Sequence, residues 1–251
     1  MDKIFQYWHY TFYLNPFCLL FALAGFIVAL RRSAVFEGSR WFPLLFLSFM
    51  VCQLLTLFSW GVDRKVFPFS LQLSRYSDFL ETLIEFLIFT QFIQLFLKGR
   101  LKLASRVIAI AFFLCVGVLL LLNFEKNNGF IRHSFIQPVY TIQAFFLIGE
   151  CSLFFWALFK APPKENLLQM PSFWIVTGIL FFMLWSLPFS IFGQYLMIQN
   201  YRLYLQLFRL FDVFYCLLFA MIIRAYYCST RVSVLVLLRR KRLQPESTFN
   251  A

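Results

Sequence analysis

Apolar and polar positions fall in long blocks along this 251-residue chain. Seven stretches, at 16–30, 41–62, 79–97, 105–122, 137–159, 173–192 and 201–223, are almost wholly apolar. They have roughly the length, about 17–25 residues, that a helix needs to cross a bilayer. Runs such as 116–122 are apolar on every side, without the period-two alternation of a membrane β-barrel. In lipid each backbone N–H and C=O must be satisfied within its own segment, so each block is expected to be a helix. The pattern therefore predicts an all-α polytopic membrane protein, a bundle of seven transmembrane helices.

Between the blocks lie short polar connections, one longer stretch at 63–78 and a C-terminal remainder. No soluble enzymatic or DNA-binding domain fits there, since domains take about 50 residues or more. The expected organisation is one transmembrane domain over 1–228 and a basic, partly amphipathic tail over 229–251. The first 16 residues lack the basic region and cleavage site of a signal peptide, so insertion is expected to rest on the first span.

Composition agrees. The chain is 61% hydrophobic with mean hydropathy +0.76, too apolar to stay dissolved. Its net charge of +12 would suggest nucleic acid in a soluble protein, but here it reads as charge that sets topology and faces anionic headgroups. Fifteen of the 23 Lys and Arg residues flank the first, third and fifth connections or lie in the tail. Positive charge stays on the cytoplasmic side, which puts the N-terminus outside and the C-terminus in the cytoplasm. The apolar run 232–238 ahead of Arg239, Arg240, Lys241 and Arg242 either extends the last span or lies along the headgroups. Those four cations are the expected membrane-surface or partner contact.

Chemistry-bearing motifs are few. There is no P-loop, GxGxxG or HExxH, and His9 and His133 lie outside the spans. Cys18, Cys52, Cys115, Cys151, Cys216 and Cys228 are dispersed without CxxC spacing, so they read as packing residues with no disulfide or metal set. All eight lysines lie outside the spans, which leaves no Schiff-base position for retinal. No cofactor and no enzymatic activity are expected.

Ionisable groups at membrane depth are costly and usually mark a site. Glu81 and Glu85, four apart, share a face of the third span; Arg209 and Asp212, three apart, share one of the seventh. Trp185, Ser186 and the helix-bending Pro188 reach a similar level on the sixth. Glu81, Glu85, Trp185, Ser186, Gln206, Arg209 and Asp212 could thus converge on one outward-facing ligand pocket. The competing reading is glue between helices, with Arg209 paired to Asp212 and Glu85 hydrogen-bonded to a neighbour. Glu150 reads as a buried carboxyl in a helix contact, and Gln91, Gln94 and Gln143 as interhelical hydrogen-bond partners.

Three segments are similar in wording to a known group. RYSDFLETLIEFLIFTQFIQLFLKGRLK at 75–102 resembles the third helix, with its IEF triplet, of small seven-helix inner-membrane proteins of Bacteroidota. MPSFWIVTGILFFMLWSLPFSIF at 170–192 resembles their sixth helix, which opens FWI-x-x-G-I-L, and VYTIQAFFLIGECSLFFWALFK their fifth. The resemblance covers roughly residues 75–225 and not the first span or the tail. It makes Glu85 the IEF glutamate and sets Trp174 and Gly178 in the FWI helix. It implies a multi-pass protein of a bacterial inner membrane, with a histidine kinase as a possible partner because such proteins are often encoded beside two-component genes. Three functions compete: a non-enzymatic sensory or accessory subunit, a small transporter or channel subunit using Glu85, Glu150, Arg209 and Asp212, and an intramembrane lipid enzyme. The first leads, because the halves show no inverted repeat and no nucleophile–base pair accompanies the carboxyls.

Overall fold

The computed structural model describes residues 15–32, 35–36, 38–61, 70–127, 133–160 and 166–243. These residues form seven helices: α1 Asn15–Arg31, α2 Phe42–Gly61, α3 Ser70–Phe96, α4 Gly99–Asn127, α5 His133–Lys160, α6 Pro171–Gln199 and α7 Tyr201–Leu243. Short 3-10 turns at Ser39–Trp41 and Leu167–Gln169 precede α2 and α6, and no strand occurs among the described residues. Six segments are long and apolar enough to cross a membrane: Ser39–Thr56, Arg75–Phe96, Gly99–Asn123, Phe135–Lys160, Pro171–Gly193 and Leu210–Cys228. Phe17–Arg31 is a shorter apolar helix. The chain is thus a helical bundle of the multi-pass membrane type.

Local sequence explains the element ends. Pro171 starts α6, where its missing N–H costs nothing. Gly99, at φ +54°, turns the chain from α3 into α4 after only two non-helical residues. Pro188 sits within α6, which remains one helix through it. The apolar run after Cys228 does not turn aside: α7 continues unbroken to Leu243.

Six helices close into a ring in the order α1, α2, α3, α5, α6, α7, with α7 returning to α1. The seventh, α4, lies outside, packed on α5 and lightly on α3. Its sequence explains the position. Leu103, Val107, Ile110, Leu114, Val118 and Leu121 recur at spacings of three and four and are all exposed, a stripe suited to lipid. The opposite stripe, Ser105, Phe112, Val116 and Asn123, is buried.

Aromatic rings fill the middle of the ring of helices. Phe46 and Phe49 of α2 meet Phe219 of α7 at 5.2 and 4.8 Å between centroids, and Phe182 of α6 meets Tyr215 at 4.2 Å. Between apolar helices in lipid the driving force is close packing rather than escape from water, and tilted rings supply it. Gly25 of α1 gives Phe46 its space, since a Cβ there would overlap that ring. At the opposite end from the start of α3, Phe36 packs against Phe92 of α3 and Tyr226 of α7. Gly38, at φ +81°, sits against Leu95 and Phe92 where no side chain fits.

Candidate functional site

One face of α3 carries Asp78, Glu81, Thr82 and Glu85 over two turns, a spacing that stacks side chains in a row. Glu85, only 2% exposed, is held from two directions. Tyr215 of α7 donates its hydroxyl to Oε1 at 3.0 Å, and Gln143 of α5 donates Nε2 to Oε2 at 3.3 Å. The same Gln143 amide reaches the Thr82 carbonyl at 3.2 Å. The Thr82 hydroxyl donates back to the Asp78 carbonyl at 2.7 Å. Three ring helices therefore meet on one carboxyl.

A turn earlier the arrangement is different. Glu81 is 7% exposed, and its Oε1 is enclosed without a hydrogen-bond partner. Cys52 of α2 donates its thiol to Asp78 Oδ1 at 3.1 Å and lies 3.3 Å from the Ser77 hydroxyl. The Cys52 sulfur and one carboxyl oxygen each from Asp78 and Glu81 all lie within 4.8 Å of one another. Among the residues whose side chains are described, no lysine or arginine is buried.

A second polar node lies two turns farther along α5. Glu150 is fully buried, accepts from the Ser105 hydroxyl of α4 at 3.0 Å, and has an enclosed Oε2 without a partner. The buried Thr90 hydroxyl of α3 stands beside the Glu150 carboxyl without a well-formed hydrogen bond. Phe146 stands one turn before Glu150, beside Phe112, and Phe112 stacks on Phe86 with centroids 3.7 Å apart. Along α5 this ring layer lies between the level of Gln143 and that of Glu150.

A collar of polar contacts surrounds α7 at the far end of the bundle. Tyr226 donates its hydroxyl to the Ser39 carbonyl at 2.7 Å, and Arg32 donates to the Tyr226 carbonyl at 3.4 Å. Arg32 also lies 4.5 Å over the Tyr227 ring. Trp174 Nε1 and the Cys228 thiol both donate to the Leu168 carbonyl, at 2.9 and 3.5 Å, and Arg224 stands over Trp174 at 5.8 Å. Connections from both flanks thus grip α7 just before its basic extension.

The residues expected from sequence to share a pocket are distributed over several places. Glu81 and Glu85 lie together as expected. Trp185 stacks on Phe214 of α7 at 4.8 Å, its Nε1 enclosed without a partner. Ser186 donates to the Met183 carbonyl of its own helix at 3.1 Å, a back-bond that uses its only proton. Asp212 is buried on the side of α7 that meets α1, where its carbonyl accepts from the Cys18 thiol at 3.2 Å. Gln206 is exposed. The side chains of Arg209 and of Arg239, Arg240, Lys241 and Arg242 lie outside the described residues, and so does the expected Arg209–Asp212 pairing.

Sequence reasoning missed Tyr215, Asp78 and Cys52. Asp78 was legible, since it continues the α3 row by one turn. Cys52 and Tyr215 carried no local signal, because only packing brings α2 and α7 to that row. Gln143 is an interhelical hydrogen-bond partner, as expected. The six cysteines are free thiols, with Cys18 and Cys216 in contact at 3.1 Å. Comparison of the chain with protein families, curated proteins and solved structures finds no match.

Proposed function

We propose that this multi-pass membrane protein is a non-enzymatic sensory or signalling subunit of a bacterial inner membrane. Its input is the carboxyl row of α3 and its output is α7. The observation that carries this reading is the Tyr215–Glu85 hydrogen bond. It ties the most enclosed acid of α3 to a helix of 43 residues, about 65 Å long at 1.5 Å per residue. A bilayer core of about 30 Å accounts for less than half of that length. The rest is a lever carrying Arg239, Arg240, Lys241 and Arg242. A proton or small ligand taken up at the carboxyls competes for the Tyr215 hydroxyl and biases the position of α7, a two-state element of the kind signalling proteins use. The N-terminus is outside and the tail cytoplasmic, where it reaches a partner such as a histidine kinase or the anionic headgroups.

Two experiments test this. Alkaline phosphatase fused after Asn128 is expected to be active and after Ala251 inactive; the reverse overturns the orientation. Pull-down from membranes in mild detergent is expected to capture a cytoplasmic partner that is lost when 229–251 is deleted and reduced at least threefold in Tyr215→Phe. Capture that ignores Tyr215 removes the coupling.

A transport role has one specific observation in its favour. Gln143 and Glu150, seven apart on α5, put polar groups on both sides of the Phe86–Phe112 layer. Proton or cation flux in proteoliposomes that Glu150→Gln abolishes would establish transport; flux equal to empty vesicles removes it.

A further inference from the structure

We infer that Cys52, Asp78 and Glu81 form a binding site for a divalent transition-metal ion, zinc foremost, between α2 and α3. This rests on the sensory reading only for its consequence: it names the ligand that the α3 row would respond to.

The donor set carries the inference. One thiol sulfur and two carboxyl oxygens from separate residues lie within 4.8 Å of one another in a buried corner. Tetrahedral zinc sites hold such donors about 3.5 Å apart, given Zn–S of about 2.3 Å and Zn–O of about 2.0–2.2 Å. The Cys52–Asp78 separation of 3.1 Å is within about half an ångström of that spacing, so the three donors close on an ion with small side-chain adjustments. Glu81 is also the residue whose enclosed Oε1 has no hydrogen-bond partner. A buried oxygen without a donor is uncommon in folded proteins and calls for an explanation such as an ion. On binding, the Cys52 thiol releases its proton to solvent and the thiolate sulfur bonds the metal; both carboxylates contribute an oxygen.

Ligand softness selects the metal. Calcium and magnesium take all-oxygen shells, whereas a thiolate beside carboxylates suits zinc and its borderline neighbours. Structural zinc sites close with four protein ligands, and three protein donors leave a position for water or the nearby Ser77 hydroxyl. The open position leaves the bound ion accessible to a fourth, exogenous ligand. Asp78 is half-buried, which gives the site an edge toward the surface.

Cobalt(II) is the direct probe, applied to the purified full-length protein in detergent. Titration is expected to bind one Co2+ per chain and to raise a thiolate-to-cobalt charge-transfer band that Zn2+ then displaces. Cys52→Ser should abolish the band, and Glu81→Gln should weaken binding at least tenfold, while Cys115→Ser, an exposed thiol on α4, changes neither. Absence of the band in the wild-type protein overturns the site whatever the variants do, as does a band that survives in Cys52→Ser. The measurement involves no partner. A missing band therefore leaves the α3–α7 coupling standing, whereas metal binding without any effect on partner capture overturns the coupling and leaves the site.

Discussion

Glu85 and Glu150 are both buried carboxyls on neighbouring helices, yet they are held in different ways. Glu85 faces the inside of the ring, and both its oxygens receive donors, one from α5 and one from α7. Glu150 lies between Ser105 of α4, which donates to one oxygen at 3.0 Å, and Thr90 of α3, and its Oε2 has no well-formed hydrogen bond. A carboxyl satisfied on both sides by two helices cross-links them, because breaking either bond leaves a buried acceptor open. A carboxyl with a free oxygen is instead a place where a proton, ion or water can come and go. Glu81 belongs with Glu150 in this respect, although it is one turn from Glu85 on the same face.

The contrast can be broken or sharpened by substitution, with unfolding in detergent as the measure. The largest effect is expected from the ring layer at the level between the two nodes. Phe86→Ala leaves Phe112 without its stacked partner and is expected to cost about 3–5 kcal/mol. A cost below about 1 kcal/mol would show that the layer is not packed.

Gln143→Leu comes next. It removes the donor to Glu85 Oε2 and to the Thr82 carbonyl together, at an expected cost of about 2–3 kcal/mol. Tyr215→Phe removes one donor from the same carboxyl and should cost about 1–2 kcal/mol. Combined with Glu85→Gln it should cost less than the two changes summed, since both act on one bond. Strict additivity would mean that the cross-link is absent.

Ser105→Ala tests the other side. Hydrogen bonds between helices in membranes average about 0.6 kcal/mol, and this one leads to a peripheral helix. A loss equal to that of Tyr215→Phe would erase the distinction between Glu85 and Glu150. The smallest effect belongs to Glu81→Gln, which replaces an acid with one unpartnered oxygen by an amide of the same shape. Its melting temperature is expected to match or exceed that of the parent, and a clear fall would place Glu81 among the structural acids.

Much of the architecture was legible in the residues, and the site only in part. The six spanning segments of the structure fall within or around apolar blocks seen in the sequence, and the shorter α1 matches the shortest block. The α3 row was legible because 78, 81, 82 and 85 share a face on any α-helix. The pairing of that row with Tyr215 was not, since the two partners are 130 residues apart in the chain. The expectation that Ser186 and Gln206 would join the glutamates assumed a rotation of α6 and α7 that depth alone does not fix. Ser186 turned to its own backbone, and Gln206 faces outward.

The division has a physical cause. In lipid a helix satisfies its backbone within itself, so the blocks of apolar residues were enough to determine the helical elements and their membrane character, while the first of the seven expected spans is a shorter apolar helix beside six of full spanning length. Which helices are neighbours, and how each is turned about its axis, depends on shape matches between remote side chains. Examples are Gly25 with Phe46, Phe86 with Phe112 and Tyr215 with Phe182. Those matches put α4 outside the ring and closed α7 onto α1. They brought a cysteine of α2, a tyrosine of α7 and a glutamine of α5 to the acids of α3, an assembly that the order of residues along the chain does not contain.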